Sequence, residues 1–285
     1  MENYLFFIII VLVVLAVIDL MVGVSNDAVN FLNSALGSKA ISFKTVMIVA
    51  SLGILCGAVF SSGMMEIARS GIFVPAQFSF MDVMVIFLAV MVTDVILLDL
   101  FNYFGLPTST TVSIVFELLG AAVSLAIYKI VSIDASWSTL PDYINTEKAS
   151  GIVVSILLSV AISFSVGMLV QYISRLLFTF QYEKKIRTVG VFFGGIAMSA
   201  IAYFILIKGL KEVTFMPADL KAWIATHEFM LLGGSFIFFT LLSFILTRLQ
   251  VNILKVIIIV GTFALALSFA GNDLVNFIGV PVAAY

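Results

Sequence analysis

An asparagine and an aspartate side by side, with a second asparagine one helical turn on, offer hard oxygen ligands for a small cation. This chain carries that arrangement twice. Ser25-Asn26-Asp27-Ala28-Val29-Asn30-Phe31 recurs as Gly271-Asn272-Asp273-Leu274-Val275-Asn276-Phe277, the two aspartates standing 246 positions apart (273 less 27). Each copy closes a long apolar run, where an uncompensated carboxylate is costly, so the recurrence points to an internal repeat with a shared polar site. Asn26, Asp27 and Asn30 lie within about one turn of each other, and their oxygens can converge on one cation if the backbone opens there, which Gly23 permits. Oxygen donors suit Na⁺, whereas zinc or copper would want His or Cys. A lone Asn or Asp at such a place serves equally well as a helix cap at the membrane surface. A cap, however, does not call for the Val-Asn-Phe continuation as well.

A second constellation, Gly105-Leu106-Pro107-Thr108-Ser109-Thr110-Thr111, interrupts apolar sequence with four hydroxyls in a row. Pro107 suits the first turn of a helix, and hydroxyls after it would sit where free N–H groups and the positive end of the helix dipole face outward, a place for an anion. The plain alternative is a turn whose hydroxyls bond back to their own backbone. Three further acids, Asp94, Asp99 and Glu117, fall inside apolar stretches and read as proton carriers or second cation ligands, or as acids near an interface or paired with a buried donor.

The elements that must hold these residues are set by composition. With 62% hydrophobic and 11% charged residues among 285, and a mean hydropathy of +1.24, the chain reads as a multi-pass helical membrane protein. Eight apolar runs are long enough to cross hydrocarbon, at about residues 4–22, 45–62, 82–103, 107–133, 150–177, 189–208, 227–248 and 252–270. The first lacks a basic leader and reads as a retained span rather than a cleaved signal. Between the spans, Ile133–Ser150 is acidic and Arg175–Arg187 is basic, so the basic connector should be cytoplasmic and the amino terminus outside. First and eighth in the set, the spans that lead to Asp27 and Asp273 run in opposite directions, which makes the repeat inverted, as in many secondary transporters.

Other features carry less. Cys56 alone can build neither a disulfide framework nor a cysteine metal site, and no basic patch suggests nucleic acid as a partner. Trp137, Trp223 and His227 read as interfacial anchors. Gly194-Gly195 and Gly233-Gly234 read as close helix packing, since neither has the helix start and basic partner of a nucleotide site.

The three motifs, Asn-Asp-Ala-Val-Asn at 26–30 leading to Gly37-Ser38-Lys39-Ala40, Gly-Leu-Pro-Thr-Ser-Thr-Thr at 105–111 and Gly-Asn-Asp-Leu-Val-Asn at 271–276, together resemble the inorganic phosphate transporter (PiT) family. That resemblance implies a transporter, not an enzyme: a symporter of inorganic phosphate driven by Na⁺ or H⁺, with some sulfate-carrying relatives. It implies that Asp27, Asn30, Asp273 and Asn276 hold the cation, with Na⁺ at Asp27 and Asp273. It places Thr108, Ser109, Thr110 and Thr111 at the anion, with Asn26 and Asn272 beside them. The chain departs from the family where many members carry a His after the hydroxyls, having Val112, Phe116 and Glu117 instead, so proton coupling through that His is unavailable. Leu98-Asp99 stands where many have Trp-Asn. An acidic residue that some members place in the second span is replaced near Gly53–Cys56 by apolar residues.

The resulting expectation is an all-α, polytopic membrane protein with inverted-topology repeats and re-entrant or broken helices. Residues 1–133 would form the first transport repeat, 134–248 connecting helices, and 249–285 the start of a second repeat that is incomplete, since its hydroxyl loop would fall near 353, Pro107 displaced by the same 246. A further segment or a homodimer would complete the site. The expected setting is the inner or plasma membrane, with phosphate, Na⁺ and the lipid bilayer as partners, Na⁺ as coupling ion (H⁺ the alternative) and no covalent cofactor. Sulfate permease is the rival within transport; a phosphate sensor and an intramembrane aspartyl hydrolase are the rivals outside it. The hydrolase would need two carboxylates sharing a proton, and the aspartates of the Asn-Asp motifs suit cation ligation better.

Overall fold

The computed structural model describes residues 2–60, 72–133, 136–178, 185–205, 217–274 and 277. Within hydrocarbon every backbone N–H and C=O must be paired inside its own segment, and the apolar runs accordingly form helices. These are α1 (Glu2–Ser38), α2 (Phe43–Phe60), α3 (Phe80–Phe104), α4 (Thr110–Ser132), the single turn α5 (Leu140–Tyr143), α6 (Thr146–Phe178), α7 (Val189–Tyr203), α8 (Ala218–Thr226), α9 (Glu228–Arg248) and α10 (Ile253–Asn272). Six of them, α1, α3, α4, α6, α9 and α10, are long and apolar enough to cross a membrane, and α2 and α7 are shorter apolar helices. The protein is thus an all-helical, multi-pass membrane protein, with a helix at each of the eight expected places. Among the described residues the only β-type pairing is an isolated bridge between Phe73 and Ile144.

One expectation about the backbone is corrected. Instead of opening at Gly23, α1 runs unbroken for 37 residues through Gly23, Asn26 and Asp27, about 55 Å at 1.5 Å per residue. An opened turn would leave N–H and C=O groups without partners in an apolar setting, and Gly23 turns out to serve packing instead.

Packing divides the chain into two compact units. One comprises Met1–Asn30, Gly63–Ser159 and Asn272–Tyr285, the other Phe31–Ser62 and Val160–Gly271. In the first, α3 and α4 lie against each other and against the first half of α1, around a core that includes Leu12, Phe87, Met91 and Leu118. The two helices are antiparallel, because Lys129 near the end of α4 pairs with Asp82 in the first turn of α3. A capping box starts α3: Ser79 accepts from the Asp82 N–H, and the Asp82 carboxylate accepts from the Ser79 N–H.

The second unit is built on small residues. Gly53 and Gly57 of α2 sit so close to the backbone of α10 at Phe263 and Leu267 that neither has room for a side chain, and Gly194 and Gly195 of α7 do the same against Ser243 and Thr240 of α9. Gly233 and Gly234 differ from the expectation, since both face open space. Helix α6, whose residues up to Ser159 belong to the first unit, is largely apolar between Lys148 and Gln171 and has no buried residue.

Candidate functional site

The hydroxyl loop is held at both ends. At its start α3 stops on Gly105, which adopts φ 66° where a side chain would be strained, and its N–H donates to the Asn102 carbonyl at 3.1 Å while that of Leu106 donates to the Phe101 carbonyl at 2.9 Å. At its end α4 begins at Thr110, capped by Ser109, whose backbone is extended (φ −103°, ψ 113°) and whose hydroxyl accepts from the Val112 N–H. Pro107 was expected in the helix's first turn; it lies instead in the extended stretch before it, because the Ser109 hydroxyl supplies a cap that Pro107 cannot.

Asn26 fixes the middle of the loop. Its Nδ2 donates to Asn102 Oδ1 at 2.9 Å and to the Leu106 carbonyl at 3.1 Å, and its Oδ1 accepts from the Thr108 N–H at 2.9 Å. Asn102 in turn donates from Nδ2 to the Val22 carbonyl of α1 at 2.9 Å. Both amide protons of Asn26, read from sequence as a phosphate contact, are spent on bonds that hold the loop to α1.

The two Asn-Asp motifs meet at the start of α4. Thr110 donates its hydroxyl to Asp27 Oδ2 at 3.2 Å, and the next residue, Thr111, donates its hydroxyl to Asp273 Oδ1 at 2.9 Å. Asn30 donates to Asp27 Oδ1 at 3.3 Å from an exposed position. Asp27 is 4% exposed and Thr110 2%. Carboxylates at a helix start are stabilised by its dipole. Phe277, fully buried at the end of the second motif, presses its ring onto Gly23, where any side chain would collide with it. Thus the second motif is anchored to the first by an aromatic ring as well as through the threonines.

The remaining predicted residues separate. Thr108 is half-buried and Ser109 is exposed. Neither the Asn272 side chain nor Asn276 is among the described positions. Asp94 is fully buried, and Ser113 links it to Glu117, whereas Asp99 is exposed. Sequence reasoning missed Asn102 and Asp19. Asn102 lies three residues before the loop's first glycine, a position that should have suggested a C-terminal cap interaction; Asp19, eight residues before Asp27 on the same helix, was passed over inside the first apolar run although an acid there is costly.

In chemical terms the site offers carboxylates, hydroxyls and a helix N-terminus at one place, with no basic side chain in these contacts. An anion approaching it would meet two carboxylates unless a cation neutralised them.

The sequence profile of the phosphate transporter family matches residues 23–285, from Gly23 through both Asn-Asp motifs and the loop. The chain belongs to that family. Phosphate transporter family relatives include a Haemophilus influenzae protein, 24% identical over 272 residues, and a Thermococcus kodakarensis protein, 26% identical over 283 residues; the names of both class them, by inference, as phosphate permeases. Each alignment covers 91% of this chain and 62% of the relative, so the chain spans about three fifths of the length of these curated relatives. A solved structure described as a sodium-dependent phosphate transporter superposes with a TM-score of 0.71 at 20% identity, over 97% of this chain and 67% of that one. That likeness is one of fold.

Proposed function

We propose that this chain binds inorganic phosphate and a coupling cation, Na⁺ before H⁺, and moves them together across the membrane. The observation that carries the reading is the adjacency of Thr110 and Thr111, two consecutive residues that hold the aspartates of two motifs 246 positions apart. A cation at Asp27 and Asp273, with Asn30 beside them, cancels carboxylate charge at the helix start. Phosphate then docks on the loop hydroxyls and the N–H groups of the first turn of α4. Without the cation the same carboxylates repel the anion, which gives coupling from electrostatics alone. Asn276 is assigned to the cation by analogy with Asn30, and Asn272 to the anion on the family resemblance alone, since the amide of its counterpart Asn26 is spent on the loop. The basic connector is placed in the cytoplasm and the amino terminus outside, by the positive-inside bias of that one loop.

Family membership and the fold of the sodium-dependent transporter support this reading. Uptake of radiolabelled phosphate into proteoliposomes tests it, with sulfate as competitor across neutral pH. Phosphate changes protonation in that range and sulfate does not. Phosphate uptake that sulfate fails to displace is expected, whereas sulfate uptake of equal or greater rate would move the assignment to a sulfate permease, and saturable binding without uptake would make the chain a sensor.

A further inference from the structure

Beside the loop, and unused by it, three carboxyl groups gather within the membrane-spanning helices of the first unit. Asp19 of α1 and Asp94 of α3 are both 0% exposed, and Glu117 of α4 is half-buried. The Ser113 hydroxyl lies 2.8 Å from Asp94 Oδ1 and 2.7 Å from Glu117 Oε1. A hydroxyl carries one proton. It can donate to one of these carboxyls only, so the other contact is a hydrogen bond only if that carboxyl brings a proton of its own and Ser113 accepts it. Asp19 faces Asp94 and feels the charge of Glu117 as well. No donor outside the three carboxyls reaches either oxygen of Asp19, Asp94 Oδ2 or Glu117 Oε2 among the described residues, so these atoms are left to pair with one another.

No base among the described residues relieves this crowding. The charged groups facing the three are acids on every element packed there: Asp27 two turns along α1, which feels Asp94, and Asp273 beyond it. Lys129, the cation of α4, is committed to Asp82 near the other end of that helix. Three ionised carboxylates so placed would be severely destabilised. Nor do they surround a common centre: no group of three or more Asp, Glu, His or Cys side chains able to hold a metal ion is found among the described residues. A cavity of about 790 Å³ between α3 and α4 is lined by Ser113 and Glu117 and also by Thr108 of the loop, so Glu117 is the acid of the three that borders open space.

We infer that Asp19, Asp94 and Glu117, bridged by Ser113, form a proton-binding site separate from the Asn-Asp motifs, which holds an exchangeable proton near neutral pH. The proton is taken up from water in the cavity at Glu117, shared with Asp94 through the Ser113 hydroxyl, and released by the same route. Asp19, missed in the sequence, keeps the proton in place by making full ionisation of Asp94 and Glu117 untenable.

Infrared spectroscopy of the full-length protein in lipid nanodiscs, in H₂O and D₂O and without phosphate, tests this independently of transport. The expected result is a protonated-carboxyl carbonyl band at neutral pH that shifts down in D₂O, loses intensity in Glu117→Gln and Asp94→Asn, and bleaches as pH is raised. Ser113→Ala should move the band without removing it, and this variant serves if an acid variant fails to fold. A spectrum without the band, a band that ignores D₂O, a band unchanged in Glu117→Gln, or a band that Na⁺ rather than pH removes would each overturn the inference. Because phosphate takes no part, failure here leaves the transport reading standing, and failure of transport leaves this site standing.

Discussion

Asn26→Ala separates positioning from ligation at the loop. The substitution removes three hydrogen bonds, to Asn102 Oδ1, the Leu106 carbonyl and the Thr108 N–H. At about 1 kcal/mol each the loss is about 3 kcal/mol, and more if the freed groups find no water. Asn102→Ala shares one of these bonds and adds the one to the Val22 carbonyl, so the double variant should fall short of the sum of the singles by about 1 kcal/mol. Asn26→Asp keeps an acceptor for the Thr108 N–H but turns a second oxygen toward two acceptors, and should be no more stable than Asn26→Ala. Unfolding in mild detergent gives the stability, and phosphate titration calorimetry gives the affinity. The reasoning predicts a stability loss shared with Asn102→Ala, and a phosphate affinity that falls in both variants because both release the same loop. Unaltered stability in Asn26→Ala, together with an affinity loss that Asn102→Ala does not reproduce, would refute it and make Asn26 a direct ligand.

Gly23→Ala places a methyl group against the Phe277 ring and should cost about 1–3 kcal/mol by overpacking; thermal unfolding should show Phe277→Leu recovering part of that loss in the double variant, and equal losses with and without the second change would argue against the contact. Thr110→Val and Thr111→Val each remove one hydroxyl from one aspartate. Each should lower stability by about 1 kcal/mol and raise the Na⁺ concentration for half-maximal phosphate binding, read by Na⁺ titration at fixed phosphate; a variant that binds Na⁺ and phosphate normally would remove that threonine from the site.

Much of the fold was legible because hydrocarbon leaves few choices: an apolar run long enough to cross it must be helical, and the helices fall where the runs fall. The repeat of Asn-Asp-x-Val-Asn-Phe also marked two segments that meet at the start of α4, since a polar motif at the end of an apolar run is too costly to recur idly. Sequence did not disclose what Asn26 does. An asparagine is donor and acceptor at once, and only the approach of the 105–109 loop decides that both functions are spent on the protein. Gly23 was misread for a similar reason, because a glycine that lets a backbone open and one that makes room for a ring 254 positions away (277 less 23) look alike along the chain. Asp19 and Asn102 each carried a local signal, an acid inside an apolar run and an amide just before a helix-ending glycine, but their partners are remote in sequence and on other helices.

The most direct test of the central claim is Na⁺-gradient-driven uptake of radiolabelled phosphate in proteoliposomes by the full-length protein, compared with Asp27→Asn and Asp273→Asn. Both substitutions preserve shape and remove a carboxylate charge from the start of α4. The account predicts uptake that rises with the imposed Na⁺ gradient in the parent protein and loses its Na⁺ dependence in both variants while folding is retained. Undiminished Na⁺-driven uptake in both variants would contradict it.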